Sequence, residues 1–222
     1  MGSSETLRRV RAAMWFHNGS LFVHGGEGPD GEETSDLHKF ENGSWHRVRT
    51  SGHAPCARSG HSGTHLGNVA YVWGGLAGDV HMYVLNLMKM KWYRKAHGEG
   101  QKPTARRHHM CWFDADSSSL LWMRGGQDLD VLANQSSSEI LSGAKTCTHT
   151  DDSRLEVETW CWDVRTGAWS KTEEGGFPPP PMNEGCCAQG SGQTRWAFGG
   201  YWDGWDHPVV SPKHDAAPEP VI

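Results

Sequence analysis

The sequence predicts an all-β fold built from repeated antiparallel units, and three observations support this prediction. A short apolar run that ends in two glycines occurs four times along the chain of 222 residues. A tryptophan follows three of these glycine pairs, and a Pro-x-x-Arg segment precedes two of them. Self-similarity at a fixed period is the sequence signature of repeat architectures. We therefore treat the chain as a series of equivalent units.

The glycine pairs mark equivalent positions in these units. They recur at intervals of about 50 residues, except for a longer last interval. Glycine suits points where the backbone takes unusual dihedral angles or passes close to another strand. We therefore expect a structural role for all four pairs, which are Gly25-Gly26, Gly74-Gly75, Gly125-Gly126 and Gly199-Gly200.

The most regular unit lies in the middle of the pattern. Residues 69–73 form an apolar run of strand type that ends at Gly74-Gly75, and a second run covers residues 80–87. A third run begins at Trp92. In the first unit, Asn18-Gly19 and Asn42-Gly43 are typical of two-residue hairpin turns. These features predict antiparallel strands joined by short connections.

This pattern of apolar strand, double glycine, aromatic residue and tryptophan resembles the kelch repeat. The resemblance implies a kelch-type β-propeller in which each unit forms one four-stranded antiparallel blade. We expect about three and a half to four blades within a propeller domain at residues 1–205, followed by a proline-rich tail at 206–222. The expected blades are residues 9–50, 51–97, 103–172 and, in part, 178–205.

The third unit contains an insertion at residues 127–154, whose Ser, Thr and Asp content favours disorder over a functional loop. The blade count predicts an incomplete propeller, because closed propellers have about four to eight blades and closure removes exposed strand edges. We therefore expect a piece of a larger propeller. The alternative is a small four-bladed ring completed by the N-terminal strands.

Composition limits the partners and the compartment. Charged residues make up 21% of the chain and the net charge is −5, so we expect neither nucleic acid nor a membrane as a partner. No apolar run approaches the length that a membrane-spanning helix needs. The six cysteines include no CxxC pair, which favours free thiols and a cytoplasmic or nuclear location.

Basic residues at the beginning of the blades are the first candidate binding site. Arg58, Arg106 and Arg107, with His61 and His108, recur in the segments that precede two of the glycine-ended runs. If they converge on one rim, their guanidinium groups suit an acidic peptide or a free C-terminus, because arginine pairs carboxylates in bidentate geometry. The alternative is that these side chains form hydrogen bonds between blades. Adjacent His108 and His109 face opposite sides of a strand, so we expect no metal site.

An aromatic cluster after the last glycine pair is the second candidate. Tyr201, Trp202 and Trp205 lie within five residues of one another. Exposed aromatic side chains often dominate protein-protein interfaces. The alternative is that these residues belong to the core.

Two functional classes remain open. The blade-entry motif and the insertion look like the kelch-domain substrate receptors of cullin-RING ubiquitin ligases, which implies a non-enzymatic protein-interaction module. No BTB, F-box or cullin-box segment is recognisable. The alternative is an enzyme on a kelch-like propeller, either a metal-dependent oxidase or a specifier-type protein. The residue sets that those enzymes need do not stand out, so we expect no catalytic residue and no cofactor.

Overall fold

The structure, a computed structural model, describes residues 7–96, 98, 100–113, 119–128, 158–172, 184–191 and 194–201. The regular elements in these ranges are all β-strands. They include no apolar helix long enough to cross a bilayer. The prediction of an all-β chain is therefore confirmed.

Blade 1 is a four-stranded antiparallel sheet in sequence order. Both of its tight turns have positive φ angles at two successive residues, Asn18 and Gly19 in one turn and Asn42 and Gly43 in the other. This geometry matches the right-handed twist of the flanking strands. The strands are β1 (Ala13–His17), β2 (Ser20–His24), β3 (Leu37–Glu41) and β4 (Ser44–Val48).

Blade 2 repeats this arrangement and carries one additional short strand. The additional strand pairs in parallel with the outer strand, with Ser51 opposite Lys91. The chain that leaves blade 1 is thereby fixed against the edge of blade 2. The strands are β5 (Ser51–Gly52), β6 (Ser62–Leu66), β7 (Val69–Trp73), β8 (Met82–Asn86) and β9 (Lys91–Lys95).

Blade 3 has the same order of four antiparallel strands, and a separate two-stranded piece lies beside it. The two-stranded piece is formed by β10 (Arg106–Arg107) and β13 (Gln127–Asp128). Most of the predicted insertion lies outside the described residues, so its disorder stays a prediction. The four strands are β11 (Met110–Phe113), β12 (Leu120–Arg124), β14 (Thr159–Asp163) and β15 (Trp169–Thr172).

The fourth unit contributes an antiparallel pair, β16 (Glu184–Ser191) and β17 (Thr194–Tyr201). The first strands of successive units, β1, β6, β11 and β16, lie beside one another in this order. Inner strands of a propeller follow one another in the same way. The described sheets therefore agree with the predicted kelch-type architecture, while the exact domain boundaries stay a prediction and the proline-rich tail lies outside the described residues.

The core lies between the blades. One buried cluster joins blades 1 and 2 and includes Trp15, Phe22 and Trp92. A second cluster joins blades 2 and 3 and includes Trp73 and Trp162. Each indole buries a large apolar area and fills the wedge between two sheets. Packing between neighbouring blades thus holds the array together.

Candidate binding rim

The segments that precede the first strands of blades 1, 2 and 3 are linked to one another. We call residues 9–12, 58–61 and 106–109 the lead-in segments. Equivalent residues in them, Arg11, Gly60 and His108, have φ angles of 56°, 66° and 59°. The backbone N–H of Gly60 donates to the carbonyl of Arg11 at 2.8 Å, and the N–H of His108 donates to the carbonyl of Gly60 at 2.7 Å. The three segments therefore share one face of the molecule.

Each lead-in segment also bonds to the residue that follows the glycine pair of its own blade. Val10 and Glu27 exchange two backbone hydrogen bonds, and Leu76 donates to the carbonyl of Ser59 at 3.0 Å. In blade 3, Arg107 of β10 lies opposite Gln127 of β13 in an antiparallel strand pair. We call the surface formed by the lead-in segments and these following residues the lead-in rim. Val10 and Leu76 are exposed on it.

The glycine pairs allow the next blade to approach. Gly74 has a φ of +73°, and a Cβ there would lie 2.6 Å from the carbonyl oxygen of Arg106 and from His109 Cε1. The N–H of Gly75 donates to the same carbonyl at 2.9 Å. Blade 1 repeats the arrangement, because a Cβ on Gly25 would lie 2.8 Å from the carbonyl oxygen of Arg58. Gly199 and Gly200 lie in β17.

Arg58 is fully buried within blade 2. Its guanidinium donates to the carbonyl of Gly74 at 3.0 Å and to Asp79 Oδ2 at 3.3 Å, and it lies over the ring of Tyr83. Asp79 also accepts hydrogen bonds from Tyr83 and His81. These bonds hold the pKa of Asp79 well below its usual range, although desolvation acts in the opposite direction. Burial and the Asp79 carboxylate raise the pKa of Tyr83 to about 12.

Arg106 repeats this arrangement in blade 3. It donates to the carbonyl of Gly125 at 3.2 Å and to Glu158 Oε2 at 2.8 Å. Glu158 also accepts from Trp160 and Lys171. Desolvation raises the pKa of Glu158, but hydrogen bonds led by that from Arg106 outweigh it and lower the pKa to about 2. Arg58 and Arg106 thus each bond to the first glycine of the pair in their blade. Each also bonds to an acidic residue that follows this pair in sequence.

The structure places the predicted rim residues close together but mostly below the surface. Arg58, Arg106, His61 and His108 are buried, and Arg107 is half-buried. The bonds of Arg58 and Arg106 described above lie within their blades. A ligand contact by any of these residues stays a prediction. Tyr201 ends β17, while Trp202 and Trp205 lie outside the described residues.

His61 and His108 occupy different positions in their lead-in segments. His61 corresponds to His109, because their Cε1 atoms lie against Gly25 and Gly74 respectively. His108 corresponds to Gly60, which has the same left-handed backbone. The sequence gives the same correspondence, since segments 55–61 and 103–109 both end in a histidine.

Two buried histidines meet between blades 1 and 2. Nδ1 of His24 lies 3.1 Å from Nε2 of His61. Burial, reinforced by the nearby charge of Arg58, lowers the pKa of His24 to about 3. Burial also lowers the pKa of His61 well below its usual value. Both imidazoles are therefore neutral near pH 7, and one donates a hydrogen bond to the other.

A second buried polar chain connects blades 2 and 3. Ser62 Oγ lies 2.8 Å from Nε2 of His109 and donates to Sγ of Cys111 at 3.0 Å. Burial lowers the pKa of His109 to about 3 and raises that of Cys111 to about 12. A nucleophilic cysteine needs the opposite shifts, towards a thiolate beside a basic imidazole. This chain is therefore suited to packing and hydrogen bonding.

The described residues contain no group of three or more His, Cys, Asp or Glu side chains placed to hold a metal ion. Their cysteines, Cys56, Cys111 and Cys161, take part in no disulfide bond.

Sequence reasoning missed the acidic partners of the two arginines. Asp79 lies shortly after Gly74-Gly75. An acidic residue at this place is a sequence signal that could have identified the partner of Arg58. Glu158 has the same role but follows the insertion, so sequence spacing hides the correspondence. Tyr83 completes the cluster around Asp79 and lies in the apolar run at residues 80–87.

Comparisons with known proteins agree with this architecture. No protein-family profile matches the chain. Tip elongation aberrant protein 1 of Schizosaccharomyces pombe is 27% identical over 168 residues, which cover 70% of this chain and 14% of that protein. Host cell factor homolog hcf-1 of Caenorhabditis elegans is 30% identical over 132 residues, covering 49% of this chain and 17% of that protein. Human Kelch domain-containing protein 1 is 27% identical over 177 residues, covering 72% of this chain and 40% of that protein.

The blade architecture and the repeated lead-in rim define a propeller-type repeat protein. These similarities, at modest identity, support a kelch-repeat family for the chain. It spans less than half the length of each of these relatives.

Proposed function

We propose that this chain is a non-enzymatic interaction module that binds a peptide or protein at the lead-in rim. The observation that carries the proposal is the series of hydrogen bonds from Arg11 through Gly60 to His108, which holds the lead-in segments of three blades on one face. A surface that is ordered before binding loses little conformational freedom when a ligand arrives. The rim is therefore suited to recognition.

The chemistry of the rim favours an acidic segment or a free C-terminus. Arg11 is exposed and pairs with Glu27 at 3.1 Å, so a ligand carboxylate would compete with Glu27 for its guanidinium, and Arg107 is half-buried. Val10 and Leu76 add exposed apolar surface. Arg58 and Arg106 are buried and paired with Asp79 and Glu158, so the accessible guanidinium groups of the rim are those of Arg11 and Arg107. A carboxylate bound here would have charged donors and apolar contacts together.

The experiment compares two variants that change the net charge equally. The chain is tested on an array of acidic peptides, each made with a free and with an amidated C-terminus. Arg11→Glu with Arg107→Glu is expected to weaken the binding of the captured peptides by about tenfold or more, because both charges reverse at the rim. The control is Arg47→Glu with Arg165→Glu, since both of these side chains are 71% exposed on outer parts of the blades.

If both pairs of substitutions weakened peptide binding equally, the effect would be due to the overall charge of the protein. This result would contradict binding at the rim. The absence of any captured peptide would contradict the acidic ligand. Amidation separates the two ligand types, since it abolishes binding only where a free C-terminus is recognised.

In its narrower form, the proposal makes the chain a substrate-recognition part of a ubiquitin ligase in the cytoplasm or nucleus. The support is the resemblance to kelch-domain substrate receptors. The test is direct binding of the purified chain to a cullin-RING adaptor complex. Failure to bind would remove this narrower form and leave peptide recognition at the rim intact.

A further inference from the structure

The outer strand of blade 2 presents a stripe of alternating residues that the rim does not use. In β9, Lys91, Tyr93 and Lys95 alternate with Trp92 and Arg94, so the first three share one face of the sheet. We call Lys91, Tyr93 and Lys95 the lysine stripe. All three are exposed, and Tyr93 retains 40% of its accessible surface.

Strand register shows which way the stripe faces. Tyr93 lies opposite Val84 and Lys95 lies opposite Met82. Val84 and Met82 belong to the buried cluster between blades 2 and 3. The stripe thus continues that face of the sheet outward beyond the core. Arg94 lies opposite Tyr83, which belongs to the cluster between blades 1 and 2, so Arg94 is on the other face.

The stripe is held on a rigid part of the fold. Backbone N–H groups of Ser51 and His53 donate to the carbonyls of Met90 and Trp92, which fixes the start of β9. After the strand, the N–H of Gly98 donates to the carbonyl of Gly167 in blade 3 at 2.9 Å. The two ends of the stripe are therefore fixed to the preceding and to the following blade.

The charge of the stripe is not neutralised within the described part of the chain. No described carboxylate lies within ion-pair distance of Lys91 or Lys95. The sequence contains no Asp or Glu between Asp79 and Glu99. Nζ of Lys91 lies 5.5 Å from the centre of the Tyr93 ring. A positively charged strip with an aromatic centre thus stands on a protein of net charge −5.

We propose that the lysine stripe binds an extended acidic segment of a partner protein, with carboxylates four residues apart and an apolar side chain midway between them. Residues four apart on a strand are separated by about 13 Å, so such a segment matches Lys91 and Lys95 one to one. The middle side chain then packs on Tyr93. This surface lies apart from the lead-in rim, and the inference does not depend on the function proposed for that rim.

Lysines on an outer strand also discourage edge-to-edge pairing of sheets, and that role needs no ligand. An exposed aromatic ring between the lysines is not needed for that role, whereas it provides the apolar contact that a bound segment uses. The strip is only one strand wide, which favours a single extended polypeptide over a duplex nucleic acid.

The test uses the full chain and a labelled, acetylated and amidated probe peptide, Glu-Thr-Val-Thr-Glu. Fluorescence anisotropy at low ionic strength measures its binding. We expect Lys91→Glu with Lys95→Glu to weaken binding at least about tenfold, and Tyr93→Ser to weaken it by about threefold to tenfold. These side chains are exposed, so near-UV circular dichroism of the variants is expected to match the wild type.

Arg94→Glu with Arg47→Glu is the matched control, because it makes the same charge change at Arg94 on the other face of the strand and at the exposed Arg47 in blade 1. It is expected to change binding by less than about threefold. Equal weakening by the control pair would overturn the inference, as would equal binding of the Gln-Thr-Val-Thr-Gln peptide. No binding of the acidic probe to the wild type, or stronger binding of a single-stranded oligonucleotide, would also overturn it. Substitutions of Arg11 and Arg107 at the rim should leave this binding unchanged.

Discussion

The carbonyl oxygen of Arg106 lies where Gly74 leaves room for it, 2.6 Å from the position that a Cβ on Gly74 would take. The two residues belong to neighbouring blades, and the N–H of Gly75 donates to the same carbonyl. Blades 1 and 2 repeat this contact through Gly25 and Arg58. The glycine pair is therefore a point at which one blade meets the next.

Gly74→Ala should destabilise the chain strongly, because the new Cβ meets the Arg106 carbonyl and the His109 ring. We expect a loss of about 3 kcal/mol or more in the free energy of unfolding, measured by chemical denaturation. Gly78→Ala is the control, since Gly78 also has a positive φ but a Cβ there meets nothing within 4 Å. It should cost about 1 to 2 kcal/mol from backbone strain alone. Equal losses would contradict the steric explanation.

Removing the buried guanidinium of Arg58 should be costly. Arg58→Met leaves the Gly74 carbonyl and the Asp79 carboxylate without their charged donor, and we expect a loss of about 3 to 5 kcal/mol. The exposed pair of Arg47 and Asp36 provides the comparison, because Arg47→Met should cost less than about 1 kcal/mol. Denaturant unfolding measures both. A small effect at Arg58 would mean that its buried bonds contribute little to stability.

Stability should fall as the pH drops below about 6.5. The pKa values of His24 and His109 are lowered in the folded chain, so between pH 6.5 and about 3 the unfolded chain binds protons that the folded chain does not. Each such histidine adds a slope of up to about 1.4 kcal/mol per pH unit, and above pH 6.5 the effect is absent.

Unfolding curves between pH 7.5 and 5 check this, because few carboxylates titrate in that range. His24→Gln removes one of these groups. The slope of the unfolding free energy against pH should then fall by up to about 1.4 kcal/mol per pH unit, which corresponds to one bound proton. An unchanged slope would show that His24 is not responsible. If the unfolding free energy of the wild type did not change with pH in this range, the conclusion that these imidazoles are buried and neutral would be wrong.

Equivalent tryptophans should differ in their contribution to stability. Trp92 is 1% exposed in the cluster between blades 1 and 2, whereas Trp45, at the same position in blade 1, is half-buried. Trp92→Ala should cost about 3 to 5 kcal/mol and Trp45→Ala less than about 2. Thermal unfolding measures the difference. Similar losses would indicate that Trp45 is covered as completely as Trp92.

The sequence by itself determined the repeated β architecture. A glycine pair after an apolar strand has a local backbone requirement, and four such pairs in phase with Trp45, Trp92 and Trp169 indicate equivalent sheets. Turns such as Asn18-Gly19 fixed hairpin positions for the same reason. These signals are readable because each depends on a few neighbouring residues.

The tertiary structure decided what the lead-in residues contact. Whether Arg58 meets solvent or Asp79 depends on how the segments of blade 2 fold against one another. Glu158 reaches Arg106 across an insertion whose length no local pattern encodes. Contacts between residues far apart in sequence follow from the packing of whole sheets, and this is why the buried arginine clusters were not predicted.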